Sequence, residues 1–174
     1  MGRYAVRMTG FLAEWSDFNV AVAGAGAALG GLLIVALSVN IRQIAESRGL
    51  AARAGASIAT LILGVALSCA ALIPGQVAWG FGLQVLAGTV VCGIVAARSA
   101  IAIRADAKVT GYGRYDAERI AVFTLPLLFD LVGGVLLIAL VPPSVGMVLV
   151  SVATILAIVT TVLFSWVALV EVLR

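Results

Sequence analysis

The chain has 174 residues, 63% of them hydrophobic and 11% charged, with a formal net charge of +3 and a mean hydropathy of +1.21. A soluble domain is nearer to roughly 45–50% apolar and about 25% charged. A chain this short has no interior large enough to hide the surplus, so the surplus must face lipid. The lack of any histidine also excludes Ser-His-Asp hydrolases, HExxH metallopeptidases, rhomboid-type proteases and haem or zinc held by imidazole.

Charge-free runs set the predicted spans. Between Asp17 and Arg42 lie 24 uncharged residues, enough for one helix across roughly 30 Å of hydrocarbon, and the first span is read as 18–41. Ala21-Val22-Ala23 resembles a signal-peptide cleavage site, but the run exceeds the apolar core of about 7–15 residues that such peptides use, so the span is expected to be retained. The next run, from Arg53 to Arg98, holds 44 uncharged residues and must fold back. Pro74-Gly75 near its middle is turn chemistry, giving spans 54–73 and 76–97. From Ile120 to Val170 the only charge is Asp130. Pro142-Pro143-Ser144 divides that stretch into spans 120–141 and 145–170, with Ser144 placed to cap the last helix. The expected fold is all-α: a polytopic transmembrane bundle of five spans in a single domain, 1–174.

Basic residues orient the bundle. Five spans put Arg42, Arg48, Arg53, Arg98, Arg104, Lys108, Arg114, Arg119 and Arg174 on one face and only Arg3 and Arg7 on the other. Short loops rich in Lys and Arg stay cytoplasmic, so the N-terminus is expected outside and the C-terminus in the cytoplasm. Arginine outnumbers lysine ten to one, which with so much Ala and Gly suggests a GC-rich bacterial genome. The basic loops suit anionic lipid headgroups and account for the net charge without a nucleic-acid partner.

In the first cytoplasmic connection Arg42 and Glu46 stand at i, i+4, and Gly49 is read as the cap of a first helix that runs past the membrane. In the second, 98–119, the stretch around Arg104, Asp106 and Lys108 reads as helix and Thr110-Gly111-Tyr112-Gly113 as its break. Arg114 and Glu118 can then pair as the fourth helix starts. Tyr112, Arg114 and Tyr115 suit either a docking tip for a cytosolic partner or an interfacial anchor for the hairpin. Trp15, Phe18 and Trp79 fit an aromatic belt at the opposite face.

Gly24, Gly26 and Gly30 form a G-x-G-x-x-x-G pattern, but inside one apolar helix, without the strand that a dinucleotide loop requires. Gly26 and Gly30 are instead read as a GxxxG packing face, with Gly133 and Gly134 as a second thin point, for contact within the chain or in a homo-oligomer. Cys69 and Cys92 lie at depths roughly 13 Å apart, too far for a disulfide, and read as packing residues.

Asp130 is the leading site candidate. It falls at the middle of its span, where an ionised carboxylate costs at least about 2.5–3.5 kcal/mol. Counted by depth, Gln84 and Thr89 of the third span, Ser68 of the second and Thr160 and Thr161 of the fifth can supply hydrogen bonds. Pro126, four residues before it, frees the Val122 carbonyl. The group suits an ion, a proton or a small polar solute, with charge on Asp130 only when water or a cation reaches it. A protonated Asp130 that ties helices together is the competing reading.

The order of motifs Trp15-Ser16-Asp17-Phe18, then Ala27-Ala28-Leu29-Gly30-Gly31-Leu32-Leu33-Ile34-Val35-Ala36-Leu37-Ser38-Val39-Asn40, then Arg53-Ala54, then Leu72-Ile73-Pro74-Gly75-Gln76 resembles a family of small multi-spanning bacterial proteins, frequent in actinobacteria. That family has a W-x-x-F start, an A-A-L-x-G-L-x-x-V-A-x-S-x-N first helix and an L-x-P-G-Q turn. The resemblance covers the first half of the chain; it implies architecture and a bacterial cell-membrane location and carries no site residue across.

Three functions compete. An oligomeric channel or transport protein rests on the midplane acid. A regulatory or scaffold subunit of a larger membrane complex rests on small size and glycine-rich faces. An intramembrane enzyme is disfavoured, because a two-aspartate protease needs a second buried acid and headgroup transferases gather several acids for a metal. No cofactor or metal is expected.

Overall fold

The computed structural model describes residues 11–39, 41–46, 48–110, 116–139 and 142–172, and every regular element among them is helical. In hydrocarbon each backbone N–H and C=O must be paired within its own segment, which a helix achieves unaided. A 3-10 turn, Leu12–Trp15, leads into α1 (Ser16–Val39), followed by α2 (Ile41–Glu46), α3 (Arg48–Ala71), α4 (Ala78–Thr110), α5 (Asp116–Ile138) and α6 (Pro143–Val172). Five stretches are long and apolar enough to cross a bilayer: Leu12–Val39, Gly49–Ala71, Ala78–Ala102, Ile120–Ile138 and Pro143–Trp166.

The helix ends follow local chemistry. At the α3–α4 turn the Gln76 N–H donates to Ile73 O at 3.3 Å. Gly75 has φ +74°, the conformation that glycine provides after proline in a type II turn. Two boundaries differ from expectation. Gly49 does not cap α1, which ends at Val39; it lies buried in the first turn of α3, where Leu50, Ala51, Ala52 and Arg53 are strong helix formers that carry the helix across it. Ser144 does not cap α6, because Pro143 is already helical. Its fixed φ and missing N–H suit the first helical position, and the Val145 N–H donates to Pro142 O at 3.1 Å. Tyr112, Arg114 and Tyr115, and with them the Arg114–Glu118 pair, lie outside the described residues.

Helices α3, α4, α5 and α6 close into a ring, each packing on the next and α6 returning to α3, while α1 lies outside against α3 and α6. Accordingly 56% of the apolar stretch of α3 is buried, against 17% for the stretch containing α1. Glycines mark the crossings. A Cβ on Gly82 of α4 would stand 2.9 Å from Gly134 O of α5, and one on Gly133 would stand 2.9 Å from Gly146 O of α6. Gly88 of α4 lies directly against Leu63 Cδ1 of α3. Without side chains at these points the backbones approach closely, and dispersion replaces the hydrophobic drive that lipid does not supply.

On α1, Gly26 and Gly30 face α3, whereas a Cβ at Gly24 or Gly31 would have nothing within 4 Å among the described residues. A Cβ at Gly30 would meet Leu61 Cδ2 at an ordinary 3.7 Å, but at Gly26 it would stand 2.6 Å from Val65 Cγ2. Alanine is therefore not equally mild at the two sites. Gly30→Ala is expected to melt with the parent in detergent and Gly26→Ala several degrees lower, since a β-branched valine has little freedom to turn aside. Equal melting of the two would place that face of α1 away from α3.

Aromatic side chains mark both ends. Trp15 packs edge-on to Phe18 with ring centroids 6.0 Å apart, and exposed Trp79 lies toward the same end, just past the Pro74 turn. Trp166, near the other end of α6, is 69% exposed. Toward that end the Arg53 guanidinium lies 5.5 Å from the Phe164 ring centroid, and Phe123 meets the same ring edge-on at 6.4 Å.

Candidate functional site

Asp130 sits on α5 between buried Pro126 and the Gly133-Gly134 pair. The glycines fix what lies beside it. Gly133 is in contact with Gly146 and Val150 of α6, and Gly134 with Leu86 and Val85 of α4. In antiparallel pairs, one turn back along α5 corresponds to one turn forward on each neighbour. Asp130 therefore stands level with Ser151 and Thr154 on α6 and with Thr89 on α4. The Cys92 thiol, about one turn along α4 from Thr89, donates to Ala59 O of α3 at 3.4 Å. Gly64 of α3 meets Thr154 Cγ2, which completes the ring around the layer.

The carboxyl is 5% exposed, and its Oδ1 accepts no hydrogen bond among the described residues. The runs between Arg53 and Arg98 and between Ile120 and Val170 contain no other charge. Asp130 thus faces the interior of its own four-helix ring.

The expected partners divide. Thr89 is in the layer, with Oγ1 donating to Val85 O at 2.7 Å. Ser68 is buried one turn beyond Gly64, at the layer's edge. Gln84 is not part of it: the side chain is exposed and bonds Gln76, Nε2 of Gln76 donating to Gln84 Oε1 at 2.9 Å. Five residues separate Gln84 from Thr89, a rotation that leaves them about 140° apart around the helix. Thr160 and Thr161 are also outside the layer, about 10 Å along α6 from Thr154 at helical rise. There Thr161 Oγ1 donates to Ala157 O at 2.7 Å and to Ser57 O of α3 at 3.4 Å, and Thr160 Oγ1 donates to Ala157 O at 3.0 Å.

Six buried polar residues escaped the sequence reading, four of them in two pairs: Ser57 and Thr60 on α3, Ser151 and Thr154 on α6. The signal was present. Ser57-Ile58-Ala59-Thr60 and Ser151-Val152-Ala153-Thr154 are the same Ser-x-Ala-Thr pattern, and i, i+3 spacing puts both hydroxyls of each pair on one helix face. In each pair the threonine hydroxyl is used by its own backbone: Thr60 donates to Ser57 O at 3.0 Å and Thr154 to Val150 O at 2.9 Å. The Ser57 and Ser151 hydroxyls have no partner among the described residues. The other two are unrelated: Ser99, buried on α4, and Asn19, buried beside the 3-10 turn with Nδ2 donating to Trp15 O at 2.9 Å.

No family model, curated protein or solved structure matches the chain. Its chemistry has to be read from the layer alone. Among the described residues no group of three His, Cys, Asp or Glu side chains converges as a metal site. One acid with hydroxyls cannot run two-carboxylate hydrolysis. It can exchange a proton, or hold and release a cation or a hydrogen-bonding solute.

Proposed function

We propose that the chain is a bacterial inner-membrane transport or channel protein for an ion, a proton or a small polar solute, working through Asp130 and the hydroxyls level with it inside each protomer, in a homo-oligomeric assembly. The support is the state of Asp130. A midplane carboxyl carries an insertion cost of about 2.5–3.5 kcal/mol in its ionised form, and a helix tie would offset that cost through hydrogen bonds. Oδ1 has none among the described residues. An acid kept at such a cost without a structural return fits a group held for an exchangeable ligand.

The deciding measurement is solute uptake by vesicles containing the purified protein, against protein-free vesicles and vesicles containing Asp130→Asn. Uptake by the parent alone is expected. Equal uptake by parent and Asp130→Asn overturns the role of the acid.

The orientation belongs to the same proposal: N-terminus outside, C-terminus cytoplasmic, basic loops against anionic headgroups. With Cys69 and Cys92 replaced by alanine, Ser144→Cys is expected to react with an impermeant thiol reagent added to intact spheroplasts, and Thr110→Cys is not. The opposite pattern reverses the topology.

A second reading, a regulatory or scaffold subunit of a larger membrane complex, is favoured by α1. At Gly24 and Gly31 a Cβ would meet nothing within 4 Å among the described residues, and such small-residue positions suit a partner's helix. Purification in mild detergent separates the readings, since a scaffold brings stoichiometric foreign subunits and a transporter only copies of itself.

A further inference from the structure

We propose that the cleft between the 3-10 turn and the α3–α4 turn is a binding site for the ammonium group of a small amphipathic amine. The site is separate from the Asp130 layer and stands or falls independently of the transport reading. The cleft has a volume of about 200 Å³ and runs between Leu12, Ala13 and Ser16 on one side and residues 71–76 on the other. An apolar cavity of roughly 150 Å³ already holds benzene, whereas drug-sized ligands fill about 300–1,000 Å³. The occupant is therefore a molecule, or part of one, with the bulk of one ring and a short substituent. Leu12, Leu72, Ile73 and Pro74 supply its carbon contacts, and no charged residue is in the lining itself.

The polar part of the ligand follows from what the turn leaves unpaired. The N–H groups of Leu72, Ile73 and Gln76 donate to Cys69 O, Ala70 O and Ile73 O at 3.1, 3.2 and 3.3 Å, and Pro74 has no N–H. Gly75 holds the one N–H of the turn without a carbonyl among the described residues. Against it stand the carbonyls of Ala71, Leu72, Pro74 and Gly75, to which no described residue donates. Helix α3 ends at Ala71, so the first two of these carbonyls carry the negative end of its dipole. The Gln76 amide is engaged with Gln84, each donating to the other, at 2.9 and 3.5 Å. Across the cleft the Ser16 hydroxyl donates to Asp17 Oδ1 at 3.5 Å, which leaves Ser16 its lone pairs and brings a carboxylate beside a lining oxygen.

An anion in this cleft would meet the negative end of a helix and a carboxylate. A neutral alcohol would bring one proton to several acceptors. An ammonium group brings three N–H donors and a positive charge, while its carbon body suits the apolar walls. A free amine in the medium and the ethanolamine headgroup of a bilayer lipid both carry that group, and a cleft at the ends of two spans is within reach of either.

The test is calorimetric titration of the full chain in phosphatidylcholine nanodiscs at neutral pH with benzylamine, benzyl alcohol and benzoate, which share one ring and differ in charge. Empty nanodiscs give the background. Benzylamine is expected to bind saturably and at least about tenfold tighter than the other two, the scale of one charge-assisted hydrogen bond. Ala13→Phe fills the cleft from an exposed position and is expected to abolish binding at an unchanged melting temperature, and Asp17→Asn to weaken it several-fold. Nuclear Overhauser contacts from the benzylamine ring to the Ile73 methyl groups locate the ligand without any substitution. Repeating the titration in phosphatidylethanolamine nanodiscs separates the two sources: a weaker apparent Kd for benzylamine identifies the lipid headgroup as the natural occupant, and an unchanged one identifies a free amine. Benzyl alcohol or benzoate binding as tightly as benzylamine overturns the ammonium assignment. Benzylamine that binds without contacts to Ile73 overturns the location, and no saturable binding in phosphatidylcholine overturns the site.

Discussion

Asp130→Asn and Asp130→Val are both expected to melt no lower than the parent in detergent and to take up no solute in vesicles. The two halves of that result come from one observation. A buried group that accepts hydrogen bonds leaves orphaned donors when it is removed, at about 1–3 kcal/mol each. Asp130 Oδ1 accepts none among the described residues, so no donor is orphaned there. Asparagine keeps the shape without the charge, and valine removes the polar atoms without the bulk that leucine would force into a layer bounded by glycine crossings. Leucine in that space risks about 1–3 kcal/mol of overpacking, so its effect on melting would not distinguish the readings. If Asp130→Val melts well below Asp130→Asn, the carboxyl is a tie between helices. Uptake by Asp130→Asn at the parent's rate removes the acid from the mechanism.

A large loss of stability is expected at Gly133. A methyl group there would stand 2.9 Å from Gly146 O, 2.9 Å from Val150 Cγ2 and 3.2 Å from Val150 N. Two of those atoms are backbone, and a backbone cannot rotate away as a side chain tip can. To admit even alanine the α5 and α6 axes must separate, which loosens the contacts of the whole pair. Gly133→Ala is expected to cost about 1–3 kcal/mol, and Gly133→Leu to prevent recovery of folded protein. Gly24→Ala and Gly31→Ala, with open space at both positions, serve as controls and are expected to be neutral or slightly stabilising through helix propensity, by up to about 1 kcal/mol. Thermal unfolding in detergent followed by circular dichroism measures all three. A Gly133→Ala protein that melts with its controls would mean that α5 and α6 do not cross there.

The spans were legible because their signal is coarse. Charge-free runs bounded by arginine, and the Pro74-Gly75 pair, mark where helices stop whatever surrounds them. Azimuth was not legible. In a soluble helix the polar side marks the surface, but here lipid-facing and core-facing sides are both apolar, so depth alone put Gln84 beside Asp130 when it points outward to Gln76. The same limit applied to Thr160 and Thr161, which are buried as a site would require but two turns away. The repeated Ser-x-Ala-Thr pattern was the better guide, because i, i+3 hydroxyls in an apolar helix define a face as well as a depth. Which helices are neighbours was beyond the sequence, since glycines at 26, 82, 88, 133 and 146 look alike until their partners are known.

The peripheral place of α1 has a consequence for biogenesis. It precedes in the chain both helices it packs on, α3 and α6, so during synthesis it enters the bilayer before either docking surface exists. A solitary apolar helix can wait there because its backbone hydrogen bonds are all internal. Its seat, the α3 surface bearing Leu61 and Val65 together with its contact on α6, is complete only after α6 has been threaded. Helix α1 can thus lean on α3 as soon as that helix is inserted, but its contact on α6 waits until α6 is in place.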